Sequence, residues 1–245
     1  MEIVFKSFLV VVSAVTGAGT TFFINLNHKK LCALISFSAG ALFGAAGFVI
    51  LPESFESLNL LQIAIGAVSG YLLFWLISKY YFHVCPACSA SHFDEQTTHK
   101  FSEIAMLMLT ALAFHSFFDG MALINTAHSH FHGGSIFTAI AIHKFPEGLA
   151  LASLMLGANF TKSKIIIYVA LVEMTTVVGA IAGLALFGSI LSELVFGIVM
   201  AHIAGGFFFL SIHAILGEML KNHKPLVITS FALGAALIAL SVSIF

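Results

Sequence analysis

HSFFDG at residues 115–120 and HKFPEG at residues 143–148 spell one pattern twice, His-x-Phe-x-acid-Gly, and both lie inside long apolar runs. An imidazole and a carboxylate four positions apart share one face of an α-helix. So His115 stands over Asp119, and His143 over Glu147. A pair of ionisable side chains is costly if those runs lie in a bilayer, and the surrounding sequence says that they do.

Of the 245 residues, 60% are hydrophobic and only 9% charged, more apolar than a soluble domain of average usage. The formal net charge is -1 and no basic run is present, which excludes a phosphate-tracking surface and so a nucleic-acid partner. Apolar stretches recur at 3–25, 31–51, 60–82, 101–125, 135–157, 165–187, 193–216 and 225–245. Each is long enough for a helix rising about 1.5 Å per residue to cross a hydrocarbon core of about 30 Å. The expectation is an all-α integral membrane protein of eight transmembrane helices, set in a lipid bilayer. It forms a single transmembrane domain over 1–245, with a cytoplasmic loop at 83–100 between spans 3 and 4.

All ten basic residues are lysines. Lys29, Lys30, Lys79, Lys100, Lys162, Lys164, Lys221 and Lys224 fall in the connections after spans 1, 3, 5 and 7. Positive charge gathers on the cytoplasmic side, so those connections face the cytoplasm and both termini lie outside. Lys6, close to the outer start of the first span, is the one dissenting charge.

The motifs bring together residues that bind metals. If spans 4 and 5 are antiparallel, the two imidazoles and two carboxylates meet at similar depth near the bilayer midplane. Imidazole nitrogen and carboxylate oxygen suit Zn²⁺ or Fe²⁺, and the lack of a thiolate argues against a tight copper(I) or structural zinc centre. The competing reading is a buried ion-pair network of Lys144 with Asp119 or Glu147. Pro146 lacks an N–H, which frees the carbonyl of Ile142 and bends span 5 beside the motif. Gly120 and Gly148, which end the motifs, let neighbouring helices come close.

These residues resemble the ZIP (Zrt/Irt-like) metal transporters. The likeness rests on the paired motif, on ALFGAAGFVILPES at 41–54, similar to that family's second helix, and on AGGFFFLSIHAILGEM at 204–219, similar to its seventh. The resemblance implies a bundle in which spans 1–3 and 6–8 are pseudo-symmetric around spans 4–5, a plan known among carriers. It implies Zn²⁺ as transported substrate, with Fe²⁺, Mn²⁺ or Cd²⁺ as further cargo, moved toward the cytoplasm by rocking or an elevator-like step. It also implies a homodimer, no separate cofactor, and a multi-pass protein of a cell (inner or plasma) membrane. Carried over by motif position, His115, Asp119, His143 and Glu147 are the metal ligands.

Ser116 and Lys144 fall where relatives with two adjacent metals carry an amide and a second-site ligand. An ammonium cannot ligate, and it repels a second cation strongly at low dielectric. One metal is therefore expected, with Lys144 balancing Asp119, Glu147 and Glu173. Glu173, on span 6, matches a position that is acidic in several branches of the family.

Weaker signals lie elsewhere. His128, His130 and His132 on the expected outer side suit metal capture, or form a solvated turn. Cys85 and Cys88, one Cys-x-x-Cys pair with histidines nearby, suit a transient receiver or a plain linker. His202, His213 and Glu218 on span 7 suit an exit path or proton relay, or simple packing, and FFF at 207–209 reads as lipid contact and helix packing. The rivals to transport are a membrane-embedded zinc-dependent hydrolase, with a metal-bound water and a carboxylate base, and a metal sensor without flux.

Overall fold

The computed structural model describes residues 2–24, 27–82, 95–124, 133–186, 193–221 and 224–244. Among them every regular element is helical: α1 (Glu2–Thr20), α2 (His28–Gly44), α3 (Leu51–Ser54), α4 (Leu60–Ile77), α5 (Glu95–Ala122), α6 (Gly133–Gly157), α7 (Lys162–Leu186), α8 (Glu193–Lys221) and α9 (Lys224–Ile244). A π-helical segment, Ala45–Ile50, joins α2 to α3, and widens the helix just ahead of Pro52, whose missing N–H removes one bond from the ladder. Among the described residues, six stretches are long and apolar enough to cross a membrane. The other two long helices, α5 and α6, at 28 and 25 residues, have the length and carry the two motifs. The chain is a multi-pass membrane protein.

Helix ends follow local chemistry. Asn59 and Gln62 close a reciprocal capping box at the start of α4, satisfying two donors that a helix start leaves orphaned. After α6, Asn159 takes a positive φ of 59°, while Phe160 N–H donates to Met155 and Asn159 N–H to Leu156. This is the left-handed cap that asparagine tolerates. α6 itself runs unbroken through Pro146. α5 begins at Glu95, inside the expected 83–100 connection, and residues 83–94 lie outside the described part.

Four parallel helix pairs organise the bundle, and each is held by two glycines. In α1 and α6, a side chain on Gly17 would strike the carbonyl of Phe145, and one on Gly148 the carbonyl of Ala14. The same reciprocal contact joins α5 to α7 (Gly120 to Thr176, Gly179 to Phe117), α2 to α9 (Gly40 to Phe231, Gly234 to Phe37) and α4 to α8 (Gly70 to His202, Gly205 to Ala67). Contacts advance together along both partners, Ser13 with Ala141 and then Gly17 with Phe145, so the pairs are parallel. With little hydrophobic drive between helices in lipid, such close backbone approach carries the association.

α1 packs also along α7, and α2 along α8, which gathers the pairs into two sets, α1, α5, α6, α7 and α2, α4, α8, α9. The sets meet where α6 lies against α2 and α9, and where α5 touches α8. No glycine pair spans that boundary among the described residues. Lys6, the dissenting charge, pairs with Glu2 at 2.8 Å one turn away and lies over the Phe137 ring. Its charge is thus locally balanced.

Candidate metal centre

Apolar helices bury whatever they pair, and here they bury charge. α5 presents His115, Ser116 and Asp119, α6 presents His143, Lys144 and Glu147, and α7 presents Glu173; all seven are buried, and Lys144 is 0% exposed. A fully buried lysine is rare unless paired. The two glycines ending the motifs set this geometry, since Gly120 draws α5 onto α7 and Gly148 draws α6 onto α1.

Two nitrogens and two oxygens converge at the centre. His115 Nε2 lies 2.8 Å from Asp119 Oδ2 and 3.1 Å from Glu147 Oε1. His143 Nε2 lies 3.5 Å from Asp119 Oδ2 and 3.7 Å from Glu147 Oε1. The two imidazole nitrogens are 3.4 Å apart. Ligand atoms at zinc bond lengths on a tetrahedron are separated by about 3.3 Å, and the five distances bracket that value. Asp119 Oδ2 and Glu147 Oε1 are buried and accept no hydrogen bond of normal geometry among the described residues, although Asp119 Oδ2 has the Lys144 ammonium 2.8 Å away. A buried carboxylate oxygen with spare acceptor capacity is costly, and with the imidazoles facing it the donor set fits a cation. His115, His143 and Glu147 each offer a ligand atom within a 4.8 Å group. Asp119 Oδ2 joins them at the distances above while also touching lysine.

Behind this cluster stands the ammonium. Lys144 Nζ is 2.8 Å from Asp119 Oδ2, 2.8 Å from Glu147 Oε2 and 3.3 Å from Glu173 Oε2. It donates to Ser116 Oγ at 2.8 Å, and that hydroxyl donates onward to Glu173 Oε2 at 3.2 Å. Glu147 is therefore divided, with Oε1 toward the imidazoles and Oε2 toward the ammonium. The ion pair and the candidate metal ligands, set against each other as alternatives at the level of sequence, share the same carboxylates, through both oxygens of Glu147 and the single Oδ2 of Asp119.

The remaining candidates lie elsewhere. His202, half-buried on α8, has its Nδ1 2.8 Å from Ser69 Oγ on α4. His213 is stacked on Phe209, with ring centroids 3.9 Å apart and Nδ1 2.9 Å from the Phe209 carbonyl. Glu218 lies near the end of α8. His128, His130, His132, Cys85 and Cys88 fall outside the described residues.

The sequence reading missed Phe207. It and Phe209 are buried, at 2% and 1% exposure, so lipid contact is the wrong reading for these two. The ring of Phe207 lies on His115, with centroids 4.1 Å apart. Only helical phase could have shown this: Phe207 sits in a run where every position is apolar, which leaves the inward face unmarked.

A family profile described as ZIP zinc transporter matches residues 86–241. The chain belongs to the ZIP zinc transporter family. Among curated proteins none matches the chain. The ZIP match takes in both motifs, Glu173 and most of α9. Membership makes divalent metal ions the transported substrate and the protein a transporter, and the buried His/Glu group fits a metal site.

Proposed function

We propose that this ZIP protein carries Zn²⁺ across its membrane toward the cytoplasm, one ion at a time, with His115, Asp119, His143 and Glu147 as ligands. The observation that carries the reading is the set of nitrogen and oxygen separations, 2.8 to 3.7 Å, around one buried point. Fe²⁺, Mn²⁺ and Cd²⁺ share the donor preference and are further cargo.

Charge supports a single ion. With all three carboxylates ionised and the imidazoles neutral, the lysine leaves the cluster at -2, which one divalent cation cancels. A second cation would sit beside Lys144 in a low dielectric, where like charges repel strongly.

The glycine pairs support alternating access. They bind helices two by two and, among the described residues, none crosses between the four-helix sets, which fits relative movement of one set against the other. The set of α1, α5, α6 and α7 holds every proposed ligand and moves against the other. Exchanging α1 with α7, α5 with α6, α2 with α8 and α4 with α9 maps each glycine pair onto another, as the pseudo-symmetric plan of eight spans requires. The lysine distribution supports both termini outside; a cell membrane, inner or plasma, is the location proposed, and residues 1–245 act there as one transmembrane domain.

The test is Zn²⁺ entry into liposomes holding the purified protein, read by a trapped metal-sensitive dye, beside Asp119→Ala and His143→Ala. Saturable entry that both variants lose is expected. A folded protein that binds zinc without moving it would turn the cluster into a fixed site of a hydrolase or sensor.

A further inference from the structure

The three phenylalanines of FFF at 207–209 have three different tasks. Phe208 meets Phe43 on α2 at 4.9 Å between centroids. Phe209 meets Tyr71 and Phe74 on α4, at 5.4 and 6.5 Å. Both contacts stay within the set of α2, α4, α8 and α9. Phe207 alone of the three reaches across the boundary among these ring contacts, to lie tilted by 57° on the imidazole of His115.

We propose that Phe207 is a positioning residue for the metal site, holding the His115 ring in its ligating orientation only while the two helix sets keep the arrangement seen here. This rests on the ion-site reading above. Rotation of an imidazole about its terminal torsion is soft, and a metal ligand must be held within about 0.5 Å of its working place. Asp119 and Glu147 fix one edge of the His115 ring through Nε2. They leave the ring free to swing about that edge, and the Phe207 ring packs against it at 4.1 Å between centroids.

Because α8 belongs to the opposite set, sliding of the sets removes that support. Ion affinity then differs between arrangements without any ligand being exchanged. A difference of affinity between states is what lets an ion bias a conformational equilibrium.

The experiment titrates the purified protein with Co²⁺, whose visible absorption reports coordination geometry, and measures Zn²⁺ flux in parallel. Phe207→Leu keeps apolar bulk and removes the ring face. It is expected to bind Co²⁺ about 10-fold more weakly, the scale seen when a supporting contact to a ligand is lost, and with an altered spectrum. Phe207→Tyr, which keeps the face, retains affinity and spectrum, and so does Phe209→Leu in the same run. If the leucine variant does not elute as a folded protein, Phe207→Met takes its place. A folded variant with wild-type affinity and spectrum overturns the inference and leaves the metal site standing. A wild-type protein that neither binds Co²⁺ nor moves Zn²⁺ overturns the site reading and this inference together.

Discussion

Lys144 and the transported ion have claims on the same two carboxylates. Asp119 Oδ2 touches both the ammonium and the imidazoles, and Glu147 gives one oxygen to each side. Removing the cation leaves three buried carboxylates facing one another. Lys144→Met should therefore lower stability by about 3–5 kcal/mol, the scale for breaking a buried pair, read as a fall in melting temperature in detergent. Zn²⁺ should raise that temperature more than it does for the wild type. Lys144→Glu replaces the competitor with a ligand, and bound zinc per chain, measured after desalting, should rise from one to two. A stoichiometry still at one would end the view that this lysine excludes a second ion. Much at this scale was legible: the four-residue spacing in both motifs puts imidazole and acid on one face, and a lysine directly after His143 lands beside the acid three positions on. Glu173 was legible through the family resemblance, which set it with Asp119 and Glu147 around Lys144, whereas nothing in its neighbours along α7 shows that its carboxylate lies 3.3 Å from the ammonium and accepts from Ser116.

Helix pairing depends on glycines at particular positions. At Gly148 an added methyl meets the backbone of Ala14, which has no side-chain torsion by which to retreat, whereas nothing lies within 4 Å of a methyl on Gly19. Overpacking of this kind costs about 1–3 kcal/mol. Gly148→Ala should melt earlier and lose zinc flux, since it forces α6, with His143 and Glu147, away from α1. Gly19→Ala should change neither, and thermal unfolding with liposome flux distinguishes the two. The apolar stretches were readable from length and composition, because a bilayer demands both. Partner choice was not: small residues are spread through most of the helices, and α1 against α6 or α5 against α7 emerges only when carbonyls of one helix are seen beneath glycines of another.

At the scale of the whole molecule, the two four-helix sets make a claim about motion that no single residue makes. Where α5 meets α8, Ala111 packs in a buried cluster with Phe209 and Leu210, and this contact crosses the boundary between sets. If transport requires one set to slide against the other, a covalent bridge here must stop it. Ala111→Cys with Leu210→Cys, in a chain whose Cys32, Cys85 and Cys88 are replaced, should form an intrachain disulfide on mild oxidation, confirmed by mass spectrometry. Zn²⁺ flux should then fall to the level of empty liposomes and return on reduction, while each single-cysteine parent transports throughout. Equilibrium zinc binding should survive the bridge, because the bridged arrangement is the one in which Phe207 supports His115. Undiminished flux through a fully bridged protein would mean that the ion passes without relative movement of the sets, and the glycine pairs would then mark stable packing and not a boundary of motion.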